Sequence, residues 1–137
     1  MAHSKFQVEV LTPEGEVFKD EVEMISTRTT VGSIGILAHH SPLLAMLDPT
    51  ELRLYKTESE VVRFAQAEGY MQIANNHGLL LLEEAYAPGD LQVADLRDRL
   101  QQAEQELKDA EDGSEQQRIA QRDKRRLETF IRIAEAA

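Results

Sequence analysis

The side chains with the most chemistry to offer are four histidines, two serines near them, an adjacent pair of glutamates and a row of arginines. A metal site needs imidazole or carboxylate ligands that converge from one side. His39 and His40 are adjacent, so on a strand they point to opposite faces and cannot easily share one ion. His77 sits in an Asn-rich turn and His3 at the start of the chain, with no His-x-His or His-Glu-x-x-His spacing anywhere. Ser33 and Ser41 lie near histidines, but neither stands in the Gly-x-Ser-x-Gly elbow that exposes a nucleophile. Gly32 and Gly35 have no following Lys to complete a phosphate loop. Glu83 and Glu84 alternate faces on a strand, which suits a rim pair better than an acid–base pair. No catalytic residue, metal site or cofactor is expected. What remains is a basic row: Arg118, Arg122 and Arg126 at i, i+4 and i+8, with Lys124 and Arg125 beside them. Like charges at that spacing cost roughly 0.3 kcal/mol per pair. The row therefore gains from an acidic surface, either within its own hairpin or on a partner.

Composition narrows the classes further. Lys plus Arg number 15 and Asp plus Glu 25, so the net charge is 15 − 25 = −10. Such a chain repels phosphate backbones and anionic lipid, which argues against general nucleic-acid or membrane-surface binding. With no cysteine, disulfides, thiol catalysis and Cys-ligated zinc are excluded. No apolar run approaches the ~20 residues of a membrane span. The start, Met1-Ala2-His3-Ser4-Lys5, leads straight into a strand-like pattern with no signal-peptide core. A soluble intracellular protein is expected. Tryptophan is absent and aromatics are 5%, so the core must be mainly aliphatic.

The elements that position these residues fall into two halves. Five of the seven glycines and three of the four prolines precede Pro88-Gly89-Asp90. Residues 1–87 alternate apolar and polar side chains in short runs: Phe6, Val8, Val10; Val22, Met24; Leu52, Leu54; Met71, Ile73. Turn signals at Thr12-Pro13-Glu14-Gly15, Asp48-Pro49 and Asn75-Asn76-His77-Gly78 separate them. An antiparallel β-sandwich or barrel is predicted for 1–87. Residues 88–137 predict an antiparallel two-helix hairpin. Asp90 is a candidate cap, and Val93, Leu96, Leu100, Ala103, Leu107 and Ala110 form a heptad seam. Asp112-Gly113-Ser114 breaks it, and Ser114 with Gln117 has the form of a capping box. Ile119, Leu127, Phe130, Ile131 and Ala134 make the second stripe. The hairpin has too few large apolar side chains to offset its ordering entropy alone, so it needs another surface to hold it, and it is suited to being held in more than one place. Residues 90–112 carry 8 acidic and 3 basic side chains, and residues 115–137 carry 4 and 6.

The densest segment is Thr30-Val31-Gly32-Ser33-Ile34-Gly35-Ile36-Leu37-Ala38-His39-His40-Ser41-Pro42-Leu43-Leu44. Its glycines permit a bend or a close backbone approach, and Pro42 stops ladder pairing. It resembles the hallmark of the epsilon subunit of F-type ATP synthases (delta in mitochondria), approximately Gly-Glu-Ile/Leu-Gly-Ile-Leu-Pro-x-His-x-Pro-Leu-Leu/Val. Gly32, Ile34, Gly35, Ile36, Leu37, His40, Pro42, Leu43 and Leu44 match. Val10-Leu11-Thr12-Pro13-Glu14-Gly15 with Val17-Phe18 is similar to the family's first hairpin, and Ala67-Glu68-Gly69-Tyr70 to its later Gly-Gly, with Glu68 in the first place. The lead-in Thr27–Gly32 resembles bacterial, in particular actinobacterial, members. The resemblance spans essentially the whole chain.

That resemblance implies a noncatalytic rotor part on the cytoplasmic face of the bacterial plasma membrane, peripheral to it. The sandwich would bind the gamma subunit and rest on the c-subunit ring through Gly32, Ser33, Ile34, Gly35, His39, His40 and Pro42. Ser33 and Ala38 depart from the usual Glu and Pro, and Ser33 cannot supply the negative charge Glu supplies there. The hairpin would move between compact and extended states. Extended, it would dock Arg118, Arg122, Lys124, Arg125 and Arg126 on an acidic segment of the alpha/beta catalytic subunits and inhibit ATP hydrolysis. Members that bind ATP carry Ile/Leu-Asp-x-x-Arg-Ala at the start of the first helix. Here Gln92 stands for the Asp and Asp95 for the Arg, so no ATP-binding residues are expected. Two alternatives stand beside this: an unrelated sandwich and coiled-coil adaptor that dimerises through the heptad seam, and a small metal-dependent barrel enzyme using His39 and His40.

Overall fold

The computed structural model describes residues 3–137; Met1 and Ala2, part of the stretch read as lacking a signal segment, lie outside them. The chain divides into two compact units, Met1–Ala87 and Pro88–Ala137. The first unit holds ten strands: β1 Phe6–Thr12, β2 Gly15–Val22, β3 Met24–Thr29, β4 Gly32–Leu37, β5 Leu43–Leu47, β6 Thr50–Tyr55, β7 Val61–Gln66, β8 Gly69–Ala74, β9 His77–Leu82 and β10 Ala85–Tyr86. They pair in the order β10-β7-β6-β3-β5-β8-β9-β1-β2, with β4 on β3. The pairs are antiparallel except β1 with β9, which run parallel from Gln7↔His77 to Leu11↔Leu81. Parallel neighbours need a long connection, and here everything from β2 to β8 supplies it, so local alternation gives no hint of it.

The sheet rolls into a nearly closed sandwich. Its halves, β2-β1-β9-β8-β5 and β4-β3-β6-β7-β10, join at one corner through the β3–β5 residue pair Thr29↔Leu47, and at another where the β7–β8 and β9–β10 links meet, through the Ala67 N–H on the Glu84 carbonyl (3.0 Å) and the Glu83 N–H on the Glu68 carbonyl (2.9 Å). Asp48-Pro49 bends the chain from β5 into β6 at the first corner. The Thr27 hydroxyl donates to Gln66 Oε1 (2.7 Å), and Gln66 Nε2 donates to the Asp48 carbonyl (2.8 Å). Gln66 is fully buried, so both ends of its amide need these partners. Period-2 alternation then fills the interior: Phe6, Val8, Val10, Ile25, Ile36, Leu52, Leu54, Met71, Ile73, Leu80 and Leu82 form one aliphatic core. The run Val22–Met24 is not one strand. β2 ends at Val22 and β3 starts at Met24, with Glu23 buried between them and its N–H donating to the Tyr55 carbonyl (2.7 Å).

The second unit opens with a single 3-10 turn, Pro88–Asp90, followed by α1 Val93–Asp109 and α2 Glu115–Ala136. Asp90 does not cap α1. It ends the 3-10 turn, where the Leu91 N–H already bonds the Pro88 carbonyl (3.3 Å), and the cap position falls to Gln92, whose side chain makes no cap bond. The predicted break is in place. Ser114 caps α2 by accepting the Gln117 N–H (3.1 Å), Gln117 Oε1 reaches back to the Gly113 N–H (2.7 Å), and Gly113 takes φ +76°. Leu96 and Ala103 of α1, and Ala120, Leu127, Phe130 and Ile131 of α2, are buried. Arg97 and Glu135 pair across the hairpin at 3.1 Å.

Two glycines test this description. A Cβ on Gly69 would stand 2.0 Å from the Leu81 carbonyl oxygen and 2.9 Å from Leu82 Cα, both backbone atoms of the next strand. On Gly35 it would make only ordinary contact, 3.7 Å from Met24 Sδ. Gly69→Ala is expected to lower the unfolding free energy by about 3 kcal/mol through forced backbone displacement. Gly35→Ala should change it by less than about 1 kcal/mol. Urea denaturation of both variants checks this contrast.

Candidate functional site

The motif segment forms an edge. Among the described residues β4 pairs only with β3, from Met24↔Leu37 to Thr29↔Gly32. The turn between them is built by the Thr29 hydroxyl, which donates to the Gly32 carbonyl (3.0 Å) and accepts the Val31 N–H (3.2 Å). Gly32 takes φ +139°, which a side chain would strain. Val31, at the tip, is 96% exposed. Along β4, Ile36 is buried and Ile34 packs on the core, while Ser33, Gly35 and Leu37 face outward. Residues 38–42 then cross to β5. His39 is in the left-handed region (φ +64°), an uncommon state for a non-glycine residue. Its N–H donates to Asn76 Oδ1 (2.7 Å) in the β8–β9 turn. His40 Nδ1 lies 2.7 Å from the Ser41 carbonyl. That oxygen only accepts, so Nδ1 carries the proton, and in the neutral ring Nε2 is left as an acceptor. His39, Ser41 and Pro42 are exposed, and His40 and Gly32 are half-buried. Of the sequence-derived residues, then, the structure brings Ser33, Gly35, His39 and Pro42 to the surface and turns Ile34 inward.

A second surface was not foreseen. β5 and β9 read as near-continuous apolar runs, so their outward positions are apolar too. Leu44 is 72% exposed, Met46 56%, Tyr70 52% and Leu81 47%. Register places three of them in a row across neighbouring strands, Met46↔Tyr70 and Tyr70↔Leu81, and half-buried Leu11 of β1 continues it opposite Leu81. An open groove lined by Leu11, Pro13, Tyr70, Leu81 and Leu82 lies beside the row. The signal was in the sequence: an antiparallel strand open to water on one face alternates, and Leu43-Leu44-Ala45-Met46-Leu47 does not.

The other candidates do not converge. His77 Nε2 lies 3.5 Å from Glu9 Oε1, where β9 runs beside β1. Glu83 and Glu84 fall in the link between β9 and β10, where Glu84 accepts the Tyr86 hydroxyl (2.6 Å). Among the described residues, no three His, Asp or Glu side chains are placed to hold a metal ion.

On α2 the basic residues separate. Arg118 is exposed and pairs with Glu115, Arg122 pairs with Asp123 (3.1 Å), Lys124 is half-buried, Arg125 is exposed, and Arg126 is only 8% exposed. The reason is rotation. At about 100° per residue, steps of four drift about +40° each, so Arg126 sits about 80° around from Arg118. Steps of seven drift only about −20°, so the exposed row is Arg118, Arg125 and Arg132. Arg132, which donates to the Thr129 hydroxyl (3.3 Å), was missed, and heptad counting would have found it.

The Glu115 carboxyl is held below its usual 4.5, first by the Arg118 hydrogen bond and then by that guanidinium's charge. A depressed carboxylate stabilises the fold above its unfolded value, and that contribution is lost as pH falls through the folded value. Acid should therefore loosen the first turn of α2 below about pH 4.5, and Arg118→Gln should flatten that dependence. Amide exchange at Glu115–Arg118 against pH checks it.

An edge-strand motif and a bare apolar face are the features of a docking module, and the sequence relatives name the family. The model of the ATP synthase, Delta/Epsilon chain, beta-sandwich domain matches residues 5–88. The ATP synthase epsilon chain of Persephonella marina is 34% identical over 130 residues, covering 94% of this chain and 96% of that one. The Brevibacillus brevis epsilon chain is 34% identical over 104 residues, 76% of this chain and 79% of that one. A chain of the Euglena gracilis mitochondrial ATP synthase structure, OSCP/F1/c-ring, shares the fold at TM-score 0.73 and 19% identity, covering 96% of this chain and 80% of that one. A chain of the Tetrahymena thermophila mitochondrial ATP synthase central stalk/c-ring structure does so at TM-score 0.60 and 17% identity, covering 98% and 99%. The chain belongs to the ATP synthase delta/epsilon family, whose epsilon chains are noncatalytic stalk subunits. That sets aside the unrelated adaptor and the metal-dependent enzyme.

Proposed function

We propose that this central-stalk epsilon subunit joins the gamma subunit to the c ring, and that its helical hairpin restrains ATP hydrolysis. The observation that carries the reading is the apolar row Met46, Tyr70 and Leu81 on the outer face of the closed sandwich. Bare apolar side chains in cross-strand register are what a protein interface core is made of. Gamma is their partner on this reading. The β4 edge and the loop carrying His39, His40 and Pro42 meet the c ring and the foot of gamma. The two solved neighbours belong to assemblies that include a c ring, which supports a c-ring partner. A closed sandwich suits the task, because torque is lost wherever the coupling part bends. On this reading attachment to the cytoplasmic face of the bacterial membrane comes through the complex; among the described residues no helix is long and apolar enough to cross a membrane.

The hairpin supplies the restraint. Extended, α2 presents Arg118, Arg122, Lys124, Arg125 and Arg132 to an acidic segment of the alpha/beta catalytic subunits, and Arg126 joins them once the hairpin opens. ATP does not set this equilibrium. Gln92 supplies no carboxylate at the start of α1, and the negative charge of Asp95 in the first turn would repel a triphosphate.

The test is ATP hydrolysis by the catalytic head with gamma, supplemented with residues 1–137 or 1–89. Higher activity with 1–89 is expected, and equal activity with both forms bound would remove the restraint from the proposal. Tyr70→Glu with Leu81→Glu should weaken gamma binding at least about 30-fold while leaving the melting temperature within a few degrees, because both side chains are half exposed. Unchanged affinity would move the gamma surface elsewhere. Titrating ATP into the full chain should give no binding heat, and a micromolar affinity would overturn the charge argument.

A further inference from the structure

We infer that Asn76 is a positioning residue for the His39–Pro42 loop and makes the β8–β9 hairpin the mechanical link between the two contact surfaces. The inference rests on the proposed function for the meaning of those surfaces, but its geometry stands by itself. The loop leaves an edge strand that has a neighbour on one side only. It then passes through His39 in a left-handed conformation that its own side chain does not favour. The bond that ties it to a distant part of the sandwich is the His39 N–H to Asn76 Oδ1, 2.7 Å long and spanning 37 residues. The other bond within the loop, His40 Nδ1 to the Ser41 carbonyl, is local and fixes the ring without fixing the loop.

Asn76 is built for this. With Asn75 it forms the tight β8–β9 turn, both residues at positive φ (+53° and +57°), between the pair Ala74↔His77. A two-residue hairpin turn with both residues at positive φ favours Gly, Asn or Asp for backbone reasons. Glycine would satisfy the turn equally well, and only Asn or Asp also offers a side-chain acceptor to a neighbour. The same hairpin carries Tyr70 on β8 and Leu81 on β9, the centre of the apolar row. A load on that face therefore reaches the motif loop through one stiff ribbon that ends at Asn76.

The experiment separates turn chemistry from the latch. Asn76→Gly keeps the positive φ and deletes the acceptor; Asn76→Asp keeps both. In the full chain, amide exchange at His39 should rise roughly five- to tenfold in Asn76→Gly and stay within about twofold in Asn76→Asp, with both melting temperatures close to the parent. Binding to a purified gamma–c-ring rotor, immobilised without this subunit, should weaken severalfold in Asn76→Gly and recover in Asn76→Asp. Unchanged exchange in Asn76→Gly would show that the bond does not hold the loop. Raised exchange with unchanged rotor affinity would show that the loop's position is not read by the rotor. Either result overturns the inference while leaving the proposed function intact. Failure of the parent chain to bind the rotor would sink the proposed function, and this inference with it.

Discussion

The sandwich depends on how its halves are tied at two corners. At one, the link from β7 to β8 lies beside the link from β9 to β10, with the Ala67 N–H on the Glu84 carbonyl (3.0 Å) and the Glu83 N–H on the Glu68 carbonyl (2.9 Å). At the other, β3 and β5 share one residue pair, Thr29↔Leu47, and two flanking backbone bonds, Thr30 N–H to the Met46 carbonyl and Asp48 N–H to the Arg28 carbonyl, both 3.0 Å. The inside of that short seam is polar. Gln66 fills it, with one amide end on the Thr27 hydroxyl and the other on the Asp48 carbonyl. A buried amide that lost either partner would carry a desolvation cost of about 1–3 kcal/mol, so the bonds hold the corner as firmly as the corner hides them. Everything proposed for this chain needs that stiffness, since a part that transmits rotation must not flex between its contacts.

Given a stiff body, the surfaces divide cleanly. The core takes alternate residues of every long strand, and its demands end there. Gly69 is glycine because the next strand's backbone occupies the space of a Cβ, and Gly32 because of its φ. Gly35 has neither reason, and Leu44, Met46, Tyr70 and Leu81 contribute little to the core they face away from. On the proposed function, these residues, exposed to water and not required by the fold, are the ones that meet other proteins.

The hairpin follows another logic. Its helices are specified locally, by the Ser114–Gln117 box and by two apolar stripes, and on the proposed function their charges serve more than the hairpin itself. Arg97 reaches Glu135 across the hairpin, while Arg118 pairs with Glu115 and Arg122 with Asp123, near neighbours in their own helix. Exposed pairs of that kind contribute little stability and are readily exchanged for a stronger acidic partner.

Sequence alone determined the two-unit plan, the β character of the first unit, the helical hairpin, its break and its cap, because each rests on short-range periodicity or on local turn chemistry. It also determined the family, through the Gly32–Leu44 motif. Tertiary structure decided the rest. The parallel β1–β9 pair, the corner at Asp48-Pro49 and the Gln66 bridge join residues far apart in the chain, where alternation is silent. The apolar row was half legible: Leu43–Leu47 fails to alternate, but only register aligns Met46 with Tyr70 and Leu81. Arg126 stood in the basic row at spacing four and is buried, because helical rotation carries position i+8 off the face of Arg118. Asp90 looked like a cap and lost that place to a 3-10 turn. Asn76 looked like an ordinary turn residue. Its side chain's second task, accepting the His39 N–H, exists only once 37 residues of chain have folded back upon themselves.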